Sequence, residues 1–262
     1  MNIKALVEFL LGAVILTGCG EPKTAPENEK TETAPVSVQT VQNEALTPKK
    51  HTVDPTKPVM ALTFDDGPNT TVTPRVLDAL EKYDAVGTFF LIGDNINDES
   101  AEQVRRAYGM GCEIASHSLT HSYMDKMSAD DIIAEMSETS KRIKDIIGVE
   151  PVFFRPPYIA VSTTMYENID MPFICGFGVN DWVSSTTKEQ RIDGVMDAAQ
   201  DGAIILLHDF GNNYSTAMAL DTIIPGLQEQ GYQLVTVSEL FEAKGKDPHS
   251  DEFRNKVISL VQ

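Results

Sequence analysis

Pro58-Val59-Met60-Ala61-Leu62-Thr63-Phe64-Asp65-Asp66-Gly67-Pro68 marks the point at which the chain changes character. Residues 59–63 form a short apolar run, the pattern of a buried strand. Two carboxylates and a Gly-Pro turn then end it. The same rhythm recurs downstream, where residues 88–91, 113–116, 153–155, 172–175, 203–207 and 233–236 read as further strands. Helical patterns lie between them. Residues 73–82 place Val76, Leu77 and Leu80 on one face, and 128–147 repeat Ile132, Ile133, Met136, Ile143, Ile146 and Ile147 at helical spacing. Pro225 falls inside a further helical pattern, 217–230, and predicts a break or kink there. Alternation of strands and helices from residue 58 to 243 predicts an α/β fold with a mostly parallel sheet. Seven or so strands suggest a barrel somewhat shorter than eight units.

Composition narrows the function. The 262 residues are 42% hydrophobic and 23% charged, the mix of a soluble globular protein with a sizeable core. Lys and Arg number 21 against 39 Asp and Glu, a formal charge of −18. Phosphate backbones and anionic headgroups would be repelled, so neither nucleic acid nor a membrane surface is an expected partner, and a neutral substrate is the natural one. A transmembrane bundle is excluded, because only the first eighteen residues hold an apolar run of any length. Three cysteines are too few for a disulfide scaffold.

The N-terminus bears on compartment. Lys4 precedes the apolar residues 9–16, which lead into Leu16-Thr17-Gly18-Cys19. A charged start, a short apolar stretch and a small-residue cleavage site resemble a bacterial lipoprotein signal, in which Cys19 is lipidated and becomes the first residue. Glu8 departs from that pattern, and a plain secretory signal with an incidental cysteine is the other reading. Either predicts export, the first to an extracellular face with the membrane reached only through the lipid. Cys112 and Cys175 then remain, in apolar contexts that favour two buried free thiols. Residues 20–57 contain five prolines and many Thr, Glu and Lys, and read as a disordered tether. As a flexible coil it would span roughly 35 Å on average.

Five short motifs carry the chemistry, each at the end of an expected strand. In Thr63-Phe64-Asp65-Asp66-Gly67-Pro68 one carboxylate can hold a metal while its neighbour acts as base; a solvated acidic turn is the bland alternative. His117-Ser118-Leu119-Thr120-His121 places two imidazoles four residues apart, able to close on one ion or to lie unrelated on the surface. Phe153-Phe154-Arg155-Pro156-Pro157-Tyr158 presents a cation fixed by two prolines, for a buried carboxylate or a surface ion pair. Asn180-Asp181-Trp182 holds the chain's single tryptophan. Ile204-Ile205-Leu206-Leu207-His208-Asp209 ends a buried strand on a histidine, an acid at a barrel mouth or a satisfied edge residue.

Taken together and in this order, the motifs resemble those of the polysaccharide deacetylase (NodB-homology) family, carbohydrate esterase family 4, across residues 58–243. The resemblance implies a distorted (β/α)7 barrel and a divalent metal, usually zinc, sometimes cobalt or another transition ion. It implies Asp66, His117 and His121 as metal ligands and Asp65 as the base, held in place by Arg155. The backbone N–H of Tyr158 would meet the oxyanion. Asp181 would orient His208, the acid, while Trp182 and Leu206 would line the acetyl pocket. Two positions depart from the family pattern: Ile159 replaces a frequent glycine, and Gly178 replaces the first acid of Asp-x-x-Asp-Trp. The run from Asn180 to Arg191 looks more like the acetylxylan esterase branch. O-acetylated xylan is therefore the favoured substrate, with N-acetylglucosamine polymers (peptidoglycan or chitin oligomers) as the alternative and a monomeric enzyme expected. A metal-free glycan-binding module and a two-histidine, one-carboxylate iron oxygenase are the competing classes. Residues 244–262, polar with an apolar end at 257–261, read as a tail that packs as a helix, with no function assigned.

Overall fold

The computed structural model describes residues 46–261. Eight short strands alternate with seven helices among them: β1 (Val59–Asp65), α1 (Thr73–Lys82), β2 (Thr88–Leu91), α2 (Ala101–Gly109), β3 (Glu113–Ser116), α3 (Ala129–Ile147), α4 (Thr163–Asn168), β4 (Phe173–Ile174), β5 (Phe177–Gly178), α5 (Lys188–Asp197), β6 (Ile204–His208), α6 (Tyr214–Glu229), β7 (Gln233–Leu234), α7 (Val237–Ala243) and β8 (Val257–Ile258). Every residue of β1 is buried, which is why it reads as unbroken apolar sequence. Helix α3 begins where the Ser128 side chain accepts the Asp131 N–H, and ends at Gly148, whose φ of 83° suits glycine. Its stripe of Ile132, Met136, Ile143 and Ile147 faces inward.

All strand pairs are parallel, in the order β5-β6-β1-β2-β3, with β7 against the start of β1. Beyond β3 the path continues through single bridges at Phe154, to Ser116 on one side and Phe173 on the other, and then from β4 to β8. The segment 173–178 therefore pairs with Phe154 and β8 through its first half and with β6 through its second. That bend turns the sheet back upon itself, the signature of a distorted barrel. Because the strands run one way, their C-terminal ends share one rim, and there the motifs gather.

Several sequence expectations change. Residues 153–155 give an isolated bridge rather than a strand, since Pro156 and Pro157 follow at once. Pro225 does not break α6. Its missing N–H would have bonded to the Asp221 carbonyl, which instead accepts the Tyr83 hydroxyl at 3.1 Å. The end of the chain forms strand β8 rather than a helix, with Ile258 in the core. Cys112 and Cys175 are free, but only Cys112 is fully buried. Residues 46–57 make specific contacts with the domain: Lys49 N–H bonds to Gly109 O, the Asp54 backbone pairs both ways with the Gln233 amide, and Val53 packs on the core. No helix among the described residues is long and apolar enough to cross a membrane. Residues 1–45, including Cys19, lie outside the described residues.

Candidate active site

The rim brings all ten residues singled out downstream of the N-terminus into one place. Asp65 ends β1 directly opposite His208, its register partner at the end of β6. Asp66 follows in left-handed backbone, φ 73°, and the chain must turn tightly beneath it. A β-carbon at Gly67 would lie 2.6 Å from an Asp209 carboxylate oxygen, so only glycine fits. His117 follows β3 and His121 closes the next turn, with Ser118 and His121 both at positive φ. Tyr158, Ile159 and Asn180 share that conformation, so non-glycine strain concentrates around one rim.

One half of the site is built on the Arg155 guanidinium, which is completely buried. Its Nη1 donates to Asp65 Oδ1 at 2.6 Å and to Thr63 Oγ1 at 2.8 Å, its Nε donates to Ile174 O, and Phe90 lies 4.0 Å beneath it. Asp65 is thereby fixed through one oxygen while Oδ2 faces the histidines, 3.8 Å from His117 Nε2. The Arg155 carbonyl also bonds to His117 Nδ1 at 2.7 Å, which turns Nε2 toward the cavity as an acceptor. Glu135 of α3 pins the histidine loop, accepting the backbone N–H groups of Leu119 and Thr120 and the Thr120 hydroxyl.

Asp66 Oδ1 lies 3.4 Å from His117 Nε2 and 3.3 Å from His121 Nε2, and the three donor atoms sit within 4.8 Å of one another. That oxygen is buried without a hydrogen-bond partner. An orphaned carboxylate oxygen facing two imidazole nitrogens fits a divalent cation, and one carboxylate with two imidazoles suits a transition metal. Burial works to raise the Asp66 carboxyl, but His117, His121 and His208 outweigh it and hold it below the usual range. Burial, with His117 alongside, lowers His121 and keeps it a neutral ligand.

The other half centres on Asp181, also fully buried. Its Oδ1 bonds to His208 Nδ1 at 2.7 Å, and its Oδ2 accepts the His208 backbone N–H, the Thr216 hydroxyl and the Asn213 amide. Buried Arg191 donates to the Asp181 carbonyl. Burial opposes a charged His208 ring, yet the hydrogen bond and charge of Asp181, with Asp65 and Asp66 beyond, raise its pKa. A cavity of about 410 Å³ joins the two halves, lined by the three metal-donor residues, Asp65, Pro156, Tyr158, Ile159, Trp182, Leu206 and His208. The sequence carries no signal for Glu135, Asn213 and Thr216, ordinary residues whose roles depend on tertiary placement. Thr63 and Asp209 stood within quoted motifs without a role.

A parallel α/β barrel thus carries a two-histidine, one-aspartate cluster between an Asp65–Arg155 pair and a His208–Asp181 pair. The model of the polysaccharide deacetylase family matches residues 52–171. The chain is 56% identical over 191 residues to a bifunctional xylanase/deacetylase of Pseudobutyrivibrio xylanivorans, covering 73% of this chain and 32% of that protein. It is 38% identical over 198 residues to a peptidoglycan-N-acetylmuramic acid deacetylase of Bacillus subtilis, covering 75% and 42%. The chain thus spans about a third of the first relative's length and under half of the second's. A family 4 acetyl xylan esterase from Clostridium thermocellum, solved with a cobalt ion, superposes with a TM-score of 0.74 at 42% identity, over 78% of this chain and all of that one. The chain belongs to the polysaccharide deacetylase family, carbohydrate esterase family 4.

Proposed function

We propose that this protein is a metal-dependent deacetylase that removes acetyl groups from O-acetylated xylan. The observation that carries the reading is the pairing of Asp65 with Arg155 and of His208 with Asp181 on opposite sides of the Asp66, His117 and His121 cluster, around one cavity. Asp66, His117 and His121 would hold a divalent ion, zinc by their donor chemistry and cobalt as a competent substitute. When bound, the ion acts as a Lewis acid that lowers the pKa of water and polarises the acetyl carbonyl.

The residues then divide the proton work. Asp65 Oδ2 takes a proton from the water attacking the acetyl carbon, and Arg155, bonded to Oδ1, keeps that carboxylate aimed. The Tyr158 N–H faces the oxygen on which charge develops. His208 gives the proton from its second ring nitrogen to the departing sugar oxygen as the C–O bond breaks, yielding acetate and a free hydroxyl. Asp181 holds that ring by Nδ1 and favours its charged form. Trp182 and Leu206 flank the acetyl group.

The identity to a xylanase-linked deacetylase supports xylan. The peptidoglycan deacetylase of B. subtilis favours a second reading, removal of N-acetyl groups from a wall polymer, for which the same acid is available. A lipid on Cys19 and a tether ending before residue 46 would hold a monomeric domain at the extracellular face under either. Acetate release by the purified chain, measured on acetylated xylan and on N-acetylglucosamine oligomers with and without chelator, tests the proposal. Faster, chelator-sensitive release from xylan is the expected result. Release from the amide substrate alone would replace xylan by a wall polymer, and release that ignores chelator would refute the metal.

A further inference from the structure

Gly178 is the position at which the chain departs from the family's Asp-x-x-Asp-Trp pattern, and the structure supplies a reason for glycine there. It lies on β5, paired in register with Leu206, which lines the cavity. It is not among the glycines at positive φ, so backbone conformation does not require it. Space does. A β-carbon at 178 would stand 3.1 Å from Cζ3 and 3.2 Å from Cη2 of Trp182, closer than side chains ordinarily approach.

The indole therefore lies with its six-membered ring against bare strand backbone. It meets the His208 ring at 5.4 Å and 65°, yet 48% of the residue remains exposed. Its attachment is firm: Asp181 beside it is locked to His208, Asn213 and Thr216, Arg191 bonds to the Asp181 carbonyl, and Val183 N–H closes onto Asn180 O. A half-exposed aromatic plate, braced behind and set beside the acid, offers an apolar face to the C–H surface of a sugar ring.

Resting on the deacetylase reading, we propose that Gly178 is a specificity-determining position: the missing side chain seats the Trp182 indole low on β5, where a neutral pyranose ring next to the acetyl-bearing one stacks on it. A β-carbon at 178 displaces the plate by a few tenths of an ångström, a larger side chain by more, and an acid adds a charge beside it. Trp182 also lines the acetyl cavity, so an acetyl ester without a sugar meets the shifted indole only as that wall, whereas a sugar-bearing substrate loses the stacking face as well.

Trp182 is the only tryptophan, so intrinsic emission reports on this indole alone. The test uses the full chain and its Gly178→Ala and Gly178→Asp variants, checked for folding by circular dichroism. Unacetylated xylotetraose is expected to shift or quench the wild-type emission, and either variant to lose that response while its indole becomes more accessible to acrylamide. In the same variants kcat/KM on acetylated xylo-oligosaccharides falls tenfold or more, mainly through KM. Hydrolysis of 4-nitrophenyl acetate, which carries no sugar, falls by several-fold less. Equal losses on both substrates, or a displaced indole with unchanged sugar kinetics, would overturn the proposal. A response to N-acetylglucosamine tetramer but not to xylotetraose would refute the xylan reading and leave the plate standing. No response to either sugar would refute the plate, whatever the enzyme's substrate.

Discussion

Asp65 and His208 face each other across one ladder position, and each is held by a buried partner of opposite charge, which fits the proposed division of base from acid. The buried Arg155 guanidinium holds Asp65 by charge and hydrogen bond, whereas the buried Asp181 carboxylate raises His208 and favours its charged form. Asp65→Asn keeps the shape but removes the base. A kcat loss of about 10²-fold or more is expected with the melting temperature held, as acetate release and a thermal melt would show. A raised acid keeps its proton to higher pH than a free imidazole and loses it as pH climbs through its folded pKa, so activity declines on the alkaline side. Asp181→Asn removes the charge that sustains the shift. The alkaline limb of the kcat profile then moves to lower pH, and an unmoved limb would remove His208 from the role of acid.

Asp209 beneath them has the opposite character. Burial, with the charges of Asp66 and Asp65 nearby, pushes its carboxyl up to about 7, against a hydrogen bond from Thr73, and its Oδ1 has no partner. Below pH 3.8 both folded and unfolded chains hold this proton, and the group has no effect. Between there and about 7 the unfolded chain releases it first, so stability declines as pH rises, and above 7 the penalty is complete. Asp209→Asn retains an oxygen for Thr73 and carries no charge. Urea melts with chelator present should find it more stable than wild type at pH 8, on the order of 1 kcal/mol or more, with the difference gone at pH 4.

At the scale of elements, the loop that carries His117 and His121 owes its shape to α3. Glu135 takes two backbone N–H groups and a hydroxyl from that loop, while Gly93 and Asp94 N–H groups bond to its Ser118 and Leu119 carbonyls. Glu135→Ala frees one side of the loop at positions already in strained backbone. Metal titration by calorimetry should find affinity lowered about 10–100-fold while the apo fold persists. Equal affinity would mean that the strand ends alone set the donor geometry.

The contrast between the two histidines and Glu135 shows what a sequence makes legible. Asp65, Asp66, His117 and His208 stand at or just past strand ends, Arg155 follows the bridge at Phe154 and His121 repeats His117 four residues on, so local pattern and chemical type reveal them together. Glu135 lies on an ordinary amphipathic helix, and Thr216 and Asn213 near the start of another, and only folding brings them to the rim. The same holds for the fold. Long buried strands such as β1 and β6 have a sequence signature, whereas two-residue β5 and β8 are defined by their neighbours. Pro225 misleads for a related reason, because the hydroxyl that replaces its lost bond comes from Tyr83, on the turn that ends α1.

For the whole molecule the governing quantity is a formal charge of −18. Within the rim Arg155 offsets Asp65 at short range, and beyond it the net acidic charge repels polyanions. Such a field reaches about 10 Å at 0.1 M salt and farther at lower ionic strength. A neutral chain of acetylated xylose approaches without regard to it. An anionic glycan, whether xylan rich in uronic acid or a charged wall polymer, must climb it. Measured between low salt and physiological ionic strength, kcat/KM on the neutral substrate should stay within about twofold, while on the anionic one it should rise several-fold as screening removes the barrier. Parallel salt curves for the two would mean that charge at the cleft is locally balanced and does not select the substrate. In that case recognition would rest on the rim's contacts alone, with the Trp182 plate foremost among them.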